Sequence, residues 1–172
     1  MVQLQTYSNA ILVKYSSYCN IPNPSLKIVS NATTSLATNQ LICANVDFIA
    51  AGVKVGDIVY NNSGSSSTTD CGATVIGIID ANTLELNNTP FLGVAENFTV
   101  YAGDQNEGSK SGCVLIVGVG ATVTGTATTT SGAEVDLSIM TGSAVAFVPY
   151  IIPIQIRKIS WVGSVQSVYA LW

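Results

Sequence analysis

The stretch ATVIGIIDANTLEL, residues 73–86, consists of two strand-forming runs separated by the turn sequence DAN. In the second run, Leu84 and Leu86 alternate with the polar residues Thr83 and Glu85. This two-residue period is typical of a strand with one buried face and one face in water. The stretch therefore predicts a pair of adjacent strands joined by a tight turn.

The same pattern of short β-forming runs and turn residues extends over the rest of the chain. No window shows the apolar period of about 3.6 residues that marks an amphipathic helix. Short strands with turn signals about every eight to twelve residues are typical of sandwiches and barrels. The sequence therefore predicts an all-β fold. Strands are predicted at residues 10–13, 26–29, 41–44, 58–60, 73–79, 83–86, 98–101, 113–117, 122–130, 133–139, 144–148, 154–159 and 165–172.

Changes in composition divide the chain into an extended N-terminal arm and two small β-sandwich or barrel modules. Residues 1–25 are predicted to form the arm, because two prolines near its end remove backbone donors. The first module is predicted at residues 26–103 and the second at 112–172, with the polar segment 104–111 as linker. An arm of this length either completes a sheet of its own chain or reaches a neighbour.

Charged residues are scarce, which limits the partners that the protein can recognise. They make up 9% of the 172 residues, against roughly 25% in an average domain. Either Ser, Thr and Asn cover the surface, or much of it is buried against neighbours, and we favour the second interpretation. The six basic residues are scattered and the net charge is −4, so nucleic acid is not an expected partner. The longest apolar run, 144–156, is interrupted by two prolines, so no membrane partner is expected either.

The residues needed for catalysis are largely missing from the sequence. There is no histidine, which excludes Ser-His-Asp and Cys-His catalysis and His-ligated metal sites. Glu134 and Asp136 lie two apart on a predicted strand, where a solvated face is the expected environment. We therefore predict a protein that is not an enzyme and that has no catalytic, cofactor-binding or metal-binding residues.

The four cysteines, Cys19, Cys43, Cys71 and Cys113, form no C-x-x-C pair, so a zinc ribbon is not indicated. Their even number would permit two disulfides. The N-terminal sequence has no basic segment ahead of its apolar patch and does not resemble a secretion signal. We therefore expect reduced and mostly buried thiols.

Aromatic residues concentrate near the two ends of the chain. Both tryptophans lie in the last twelve residues, and three tyrosines lie in the arm. They either pack a final strand into the core or anchor an interface, since aromatic side chains dominate binding energy at interfaces. The candidate interface residues are Tyr7, Tyr15, Tyr18, Trp161, Leu171 and Trp172.

Several segments resemble uncharacterised virion proteins of marine tailed bacteriophages. In the first half these are FIAAGVKVGDIVYNN, ATVIGIIDANTLELNNTPF and AENFTVY, which begin at residues 48, 73 and 95. In the second half they are GCVLIVGVGATV from residue 112 and VPYIIPIQIRKISWVGSVQSVYALW from residue 148. The chain departs from the family pattern at residues 161–164, where WVGS replaces a Thr-rich turn.

This resemblance implies a structural component of a virion shell or appendage. The leading hypothesis is a capsid decoration (cement) protein on the capsid surface, bound to the major capsid protein and to itself as a homotrimer, with an arm that adds a strand to a neighbour. The alternative is a receptor-binding or carbohydrate-binding module of a tail or head fibre, in which the polar loop 61–72 grips a sugar. A self-assembling extracellular filament is a third possibility.

Overall fold

The computed structural model describes residues 7–13, 19–63, 71–103, 112–117, 125–137, 150–161 and 168–172. Within these ranges the chain forms thirteen strands, one short 3₁₀ turn (Pro24–Leu26) and two antiparallel sheets. The prediction of an all-β fold is confirmed. The predicted linker and the predicted strand at 144–148 lie outside the described residues.

The first sheet has seven strands: β2 (Lys27–Ala32), β3 (Ser35–Ala37), β4 (Gln40–Ile42), β5 (Ile58–Asn61), β6 (Gly72–Asp80), β7 (Thr83–Leu86) and β8 (Asn97–Tyr101). Their spatial order is β2-β8-β5-β6-β7-β4-β3. The outermost strands β2 and β3 follow each other in sequence with only two residues between them. Two residues span at most about 11 Å between the flanking Cα atoms, so the end of β2 lies close to the start of β3. The sheet is therefore strongly curled, and we call it the barrel, although β2 and β3 do not pair with each other.

The barrel interior is filled by alternate residues of these strands. Leu84 and Leu86 are fully buried while Glu85 between them is exposed, as the two-residue period predicted. Phe98 contacts two other buried rings, with centroids 6.1 Å from Phe48 and 6.3 Å from Phe91. These contacts build one contiguous core from strands and loops that are far apart in sequence.

Two buried carboxylates hold the barrel loops in place. The Glu96 carboxylate accepts hydrogen bonds from the Gly93 N–H (2.7 Å) and from the Asn61 side-chain amide (2.6 Å). The Asp57 carboxylate accepts from the N–H groups of Lys54 (2.7 Å) and Gly103 (2.9 Å). Both carboxylates are buried, and these hydrogen bonds give them the partners that buried polar groups require.

The second sheet has six strands: β1 (Ala10–Leu12), β9 (Cys113–Val117), β10 (Gly125–Thr129), β11 (Glu134–Asp136), β12 (Tyr150–Trp161) and β13 (Val168–Leu171). Their spatial order is β1-β13-β9-β12-β10-β11. The arm strand β1 pairs antiparallel with the C-terminal strand β13, so this part of the arm completes a sheet of its own chain. Val13 follows β1 into the core of the second sheet.

Strand β12 is twice as long as the predicted strand at 154–159, and it contains Pro153. Between Ile152 and Ile156 the register with β9 advances by four residues on β12 but by two on β9. Proline is tolerated there because a bulged segment does not need every ladder hydrogen bond. A second bulge lies on β12 at Arg157, opposite the step from Thr128 to Thr129 on the partner strand.

The arm also contacts both sheets where it crosses between them. The Ile21 N–H donates to the carbonyl oxygen of Arg157 in β12 (2.7 Å). Cys19 packs in a small cluster with the barrel residues Ile58, Tyr60 and Tyr101. A side chain at Gly72 would collide with the Cys19 sulfur, so glycine is required there for the arm to lie flat on the barrel.

Candidate interaction surface

Strand β9, with the sequence CVLIV, is apolar on both of its faces. Cys113, Leu115 and Val117 face the core of the second sheet, so Val114 and Ile116 point to the opposite side. An antiparallel sheet with one face in water normally alternates apolar and polar residues. The outer side of β9 therefore departs from the pattern of a solvated sheet face.

The strand registers extend this apolar outer side into a row across four neighbouring strands. Leu12 of β1 lies opposite Tyr169 of β13, which lies opposite Ile116 of β9. Ile116 in turn lies opposite Ile151 of β12. Directly opposed residues share a face and have Cβ atoms about 4.5–5.5 Å apart, so the four side chains form a continuous row. The side chains of Leu12, Tyr169 and Ile151 are 37%, 42% and 48% exposed, and Ile116 is half-buried.

A second row runs beside the first. Ala10 lies opposite Leu171, and Leu171 lies opposite Val114. We call the two rows together the apolar outer face. It carries no ionisable side chain apart from the phenol of Tyr169, so a partner can cover it without desolvating a charge. Its members are Ala10, Leu12, Val114, Ile116, Ile151, Tyr169 and Leu171, of which Val114 is buried and Ile116 and Leu171 are half-buried.

Beyond the bulge in β12, the outer side of the same sheet becomes polar. Thr128 lies between Glu134 and Lys158 in one cross-strand row. Asp136, Thr126 and Ser160 form the next row. Glu134 and Asp136 are exposed, which agrees with the solvated strand face that the sequence predicted. An apolar patch flanked by a polar border has the anatomy of a protein–protein interface.

The predicted interface residues occupy different environments. Leu171 lies on the apolar outer face, whereas Trp172 packs against the core of the second sheet. The Trp172 backbone N–H donates to the carbonyl oxygen of Asn9 (3.0 Å), and its indole N–H has no acceptor among the described residues. Tyr7 is half-buried next to the start of β1. Tyr15, Tyr18 and the side chain of Trp161 lie outside the described part of the chain, so their role stays a prediction.

The aromatic-based prediction missed most of the apolar outer face, namely Leu12, Ile116, Ile151 and Tyr169. A signal for the middle strands was nevertheless present in the sequence. The runs CVLIV and YII lack the polar residue at every second position that a solvated antiparallel strand requires. The pairing that joins these runs to the arm involves residues about 160 positions apart, which no local pattern reveals.

Thiols and carboxylates do not combine into a reactive centre in the described residues. Cys19, Cys43 and Cys113 are buried and Cys71 is half-buried, which agrees with the predicted burial. Burial raises the pKa of the Cys113 thiol to about 12, and this thiol donates to the Ile156 carbonyl oxygen (3.1 Å). Over the same residues, no three His, Cys, Asp or Glu side chains are grouped so as to hold a metal ion.

A cavity of about 10 Å³ lies between the arm and both sheets, lined by residues that include Val13, Cys19, Ile21, Tyr60 and Ile159. That volume corresponds to about one water molecule. In the described chain, no helix has the length and apolar character needed to span a membrane. The apolar outer face, in contrast, is a continuous surface on which a partner can bind.

Comparison with known proteins identifies no relative for this fold. The chain matches no protein-family model, no curated protein and no solved structure. The functional inference therefore depends on the surfaces of the molecule itself.

Proposed function

We propose that this chain is a structural virion protein, a capsid decoration protein that binds the major capsid protein through its apolar outer face. The observation that carries the proposal is that strand β9 is apolar on both sides and that its outer side continues an apolar row across the neighbouring strands. Burying apolar area is worth about 25 cal/mol per Å², so covering this face stabilises a complex. The sequence resemblance to phage virion proteins supplies the identity of the partner.

The geometry suits a protein that acts by binding at a fixed place in an assembly and not by catalysis. The outer row lies on four hydrogen-bonded strands, so its side chains are held rigidly and little entropy is lost when they are covered. A modest contact per copy becomes strong when copies are linked on a symmetric lattice. Self-association into a homotrimer would provide such linkage, and a stable monomer in light scattering at working concentrations would contradict this part of the proposal.

Two outer-face substitutions test the binding surface. Ile151→Glu and Tyr169→Glu place charges on both sides of Ile116 in the row, where a partner would have to desolvate them. We expect the doubly substituted protein to bind shells assembled from the major capsid protein at least tenfold more weakly, a loss of about 1.4 kcal/mol. Co-sedimentation of protein with shells measures the affinity.

The matched control is Thr126→Glu, an exposed substitution on the polar side of the same sheet. It should bind shells like the unsubstituted protein, and circular dichroism should show that all variants fold. Equal binding by the double variant and the control would refute the role of the apolar outer face.

The number of copies per particle separates the proposal from its main alternative. Gel densitometry of purified virions should find hundreds of copies for a shell protein and a handful for a tail or fibre module. The alternative has one structural observation in its favour, since Tyr169 presents an exposed aromatic ring of the kind that stacks on sugars. Most of the loop expected to contribute, residues 64–70, lies outside the described part. Glycan-array binding that is lost in Tyr169→Ala would support this alternative.

A further inference from the structure

Strand β6 of the barrel contains two bulges, and each has an isoleucine as its extra residue. Val75 pairs with Leu86 and Gly77 with Glu85, which leaves Ile76 without an opposite residue. Ile78 then pairs with Leu84 and Asp80 with Thr83, which leaves Ile79 in the same position. The side chains of Ile76 and Ile79 are 50% and 52% exposed.

Bending explains why β6 has bulges but not why isoleucine occupies them. Its first residues pair with β5 and its later residues with β7, so the strand must curve to serve both sides of the barrel. A small polar residue at either bulge would permit the same curvature without exposing an aliphatic side chain. Bulges commonly re-aim side chains at functional positions, and here they aim two isoleucines outward.

The loop between β4 and β5 lies along the same strand and adds two more exposed aliphatic residues. At one end the Gly56 N–H donates to the carbonyl oxygen of Val75 (2.8 Å), and at the other the Phe48 N–H donates to that of Ala81 (2.7 Å). Ile49 and Val55 adjoin these anchor points, and both are more than half exposed. We call Ile49, Val55, Ile76 and Ile79 the bulge patch.

Charged residues next to the bulge patch are mainly acidic. Asp80 directly follows Ile79 and Asp47 precedes Ile49 by two residues, and Glu85 lies opposite Gly77 between the two bulges. Among the described residues next to the patch in sequence or register, Lys54 is the one basic side chain, so three carboxylates accompany one ammonium group. All four charged residues are exposed. A second copy seated on this patch through the same residues would bring like charges together, which disfavours self-association here.

We infer that the bulge patch is a second docking surface, for a protein partner whose contact surface combines aliphatic side chains with a border of Lys and Arg. Aliphatic contacts would supply the affinity, and the opposite charges would select the partner and speed its approach. This surface lies on the barrel, whereas the apolar outer face lies on the other sheet. The inference therefore stands whether or not the proposed shell binding is correct.

A defined probe tests this chemistry with the purified full-length chain. The probe is an amphipathic peptide built of Leu and Lys, and the counter-probe is the same peptide with Glu at every Lys position. In methyl NMR spectra we expect the Leu/Lys peptide to produce saturable shifts at Ile49, Val55, Ile76 and Ile79, and these shifts should weaken with added salt. The Leu/Glu peptide should shift these methyl groups at least tenfold less at equal concentration.

Three variants test whether the peptide binds at the bulge patch. Ile76→Thr/Ile79→Thr keeps β-branched residues in the bulges and should abolish the methyl shifts at Ile49 and Val55. Asp80→Asn/Glu85→Gln should weaken peptide binding several-fold and flatten its salt dependence. Ile151→Thr, on the apolar outer face, should leave peptide binding unchanged.

Two results would overturn the inference. One is binding that is undiminished in Ile76→Thr/Ile79→Thr. The other is a set of shifts centred on the acidic strand β11, around Glu134 and Asp136. It would mean that the peptide binds any cluster of carboxylates and does not recognise the bulge patch. Shell binding by the outer-face variants is measured separately, so failure of one proposal does not count against the other.

Discussion

Single glycines mark the places where this fold brings two segments into direct contact. A Cβ atom at Gly103 would overlap the carbonyl oxygen of Gly56, so the end of β8 and the turn before β5 can meet only if this residue has no side chain. At Gly77 the nearest atom is instead the carboxylate end of Glu85, an exposed and flexible side chain. Both positions are glycines, but a new side chain would meet backbone at Gly103 and a flexible side chain at Gly77.

We expect Gly103→Ala to destabilise the protein by about 2–3 kcal/mol, because backbone must move to admit the methyl group. Gly77→Ala should cost less than about 0.5 kcal/mol, since Glu85 can rotate away. Urea denaturation followed by circular dichroism measures both changes. Equal losses for the two variants would contradict the steric explanation.

The buried Cys113 thiol makes the folded protein less stable at alkaline pH. Burial raises its pKa from 9.0 to about 12, so between these values the unfolded chain loses a proton that the folded chain keeps. Stability is therefore fully present below pH 9 and falls as pH rises, by about 1.4 kcal/mol per pH unit. The pKa of Tyr101 is also raised by burial and acts in the same direction.

Urea midpoints measured from pH 8 to pH 10.5 should therefore fall for the unsubstituted protein. In Cys113→Ala the fall should be shallower, because the variant lacks the titrating group, although its stability at pH 8 is lower. Parallel curves for the two proteins would show that Cys113 does not control the alkaline transition.

At the scale of elements, the pairing of strand β1 with β13 fixes the N-terminal arm to the second sheet. Its three residues pair with β13, and Val13 and Cys19 continue into buried positions. An arm that only reached out to a neighbour could be removed without affecting the fold. Here removal uncovers one edge of the second sheet and part of its core.

We expect a variant without residues 1–13 to exchange the backbone amides of Val168 and Ala170 at least tenfold faster, while exchange in β5 of the barrel changes little. Hydrogen exchange detected by mass spectrometry or NMR measures this difference. Unchanged protection in β13 would mean that β1 contributes little to the second sheet.

At the scale of the whole molecule, the two sheets carry two separate exposed apolar surfaces. The apolar outer face spans β1, β13, β9 and β12, and the bulge patch lies on β6 and the loop beside it. One chain with two such surfaces is suited to bridge neighbouring subunits, which is how a cement protein would stabilise a shell. Binding to the assembled form and not to its dissociated parts raises apparent stability by mass action.

Shells saturated with this protein should therefore melt several degrees higher than bare shells in scanning calorimetry. The same shells mixed with Ile151→Glu/Tyr169→Glu should melt like bare shells, and shells mixed with Thr126→Glu should melt like fully decorated ones. A rise in melting temperature with the outer-face variant would show that shell stabilisation does not depend on the apolar outer face.

The sequence by itself predicted most of the described strands, although not β3, and it shows which residue types are scarce. The alternation around Leu84 and Leu86 is a local property of neighbouring residues, and it predicted β7 and its buried side correctly. The lack of histidine and the scarcity of charge are equally visible without coordinates. Boundaries were less accurate where a bulge let a strand continue through Pro153.

Only the tertiary structure decided which strands are neighbours and which apolar residues remain exposed. The row from Leu12 to Ile151 joins residues from both ends of the chain, and pairing at such separation leaves no local periodic signal. Likewise, Ile76 and Ile78 are both apolar members of one strand, yet the bulge turns the first outward while the second packs on the core. A bulge depends on the pairing register of two strands, here β6 and β7, and the residue pattern of one strand does not show that register.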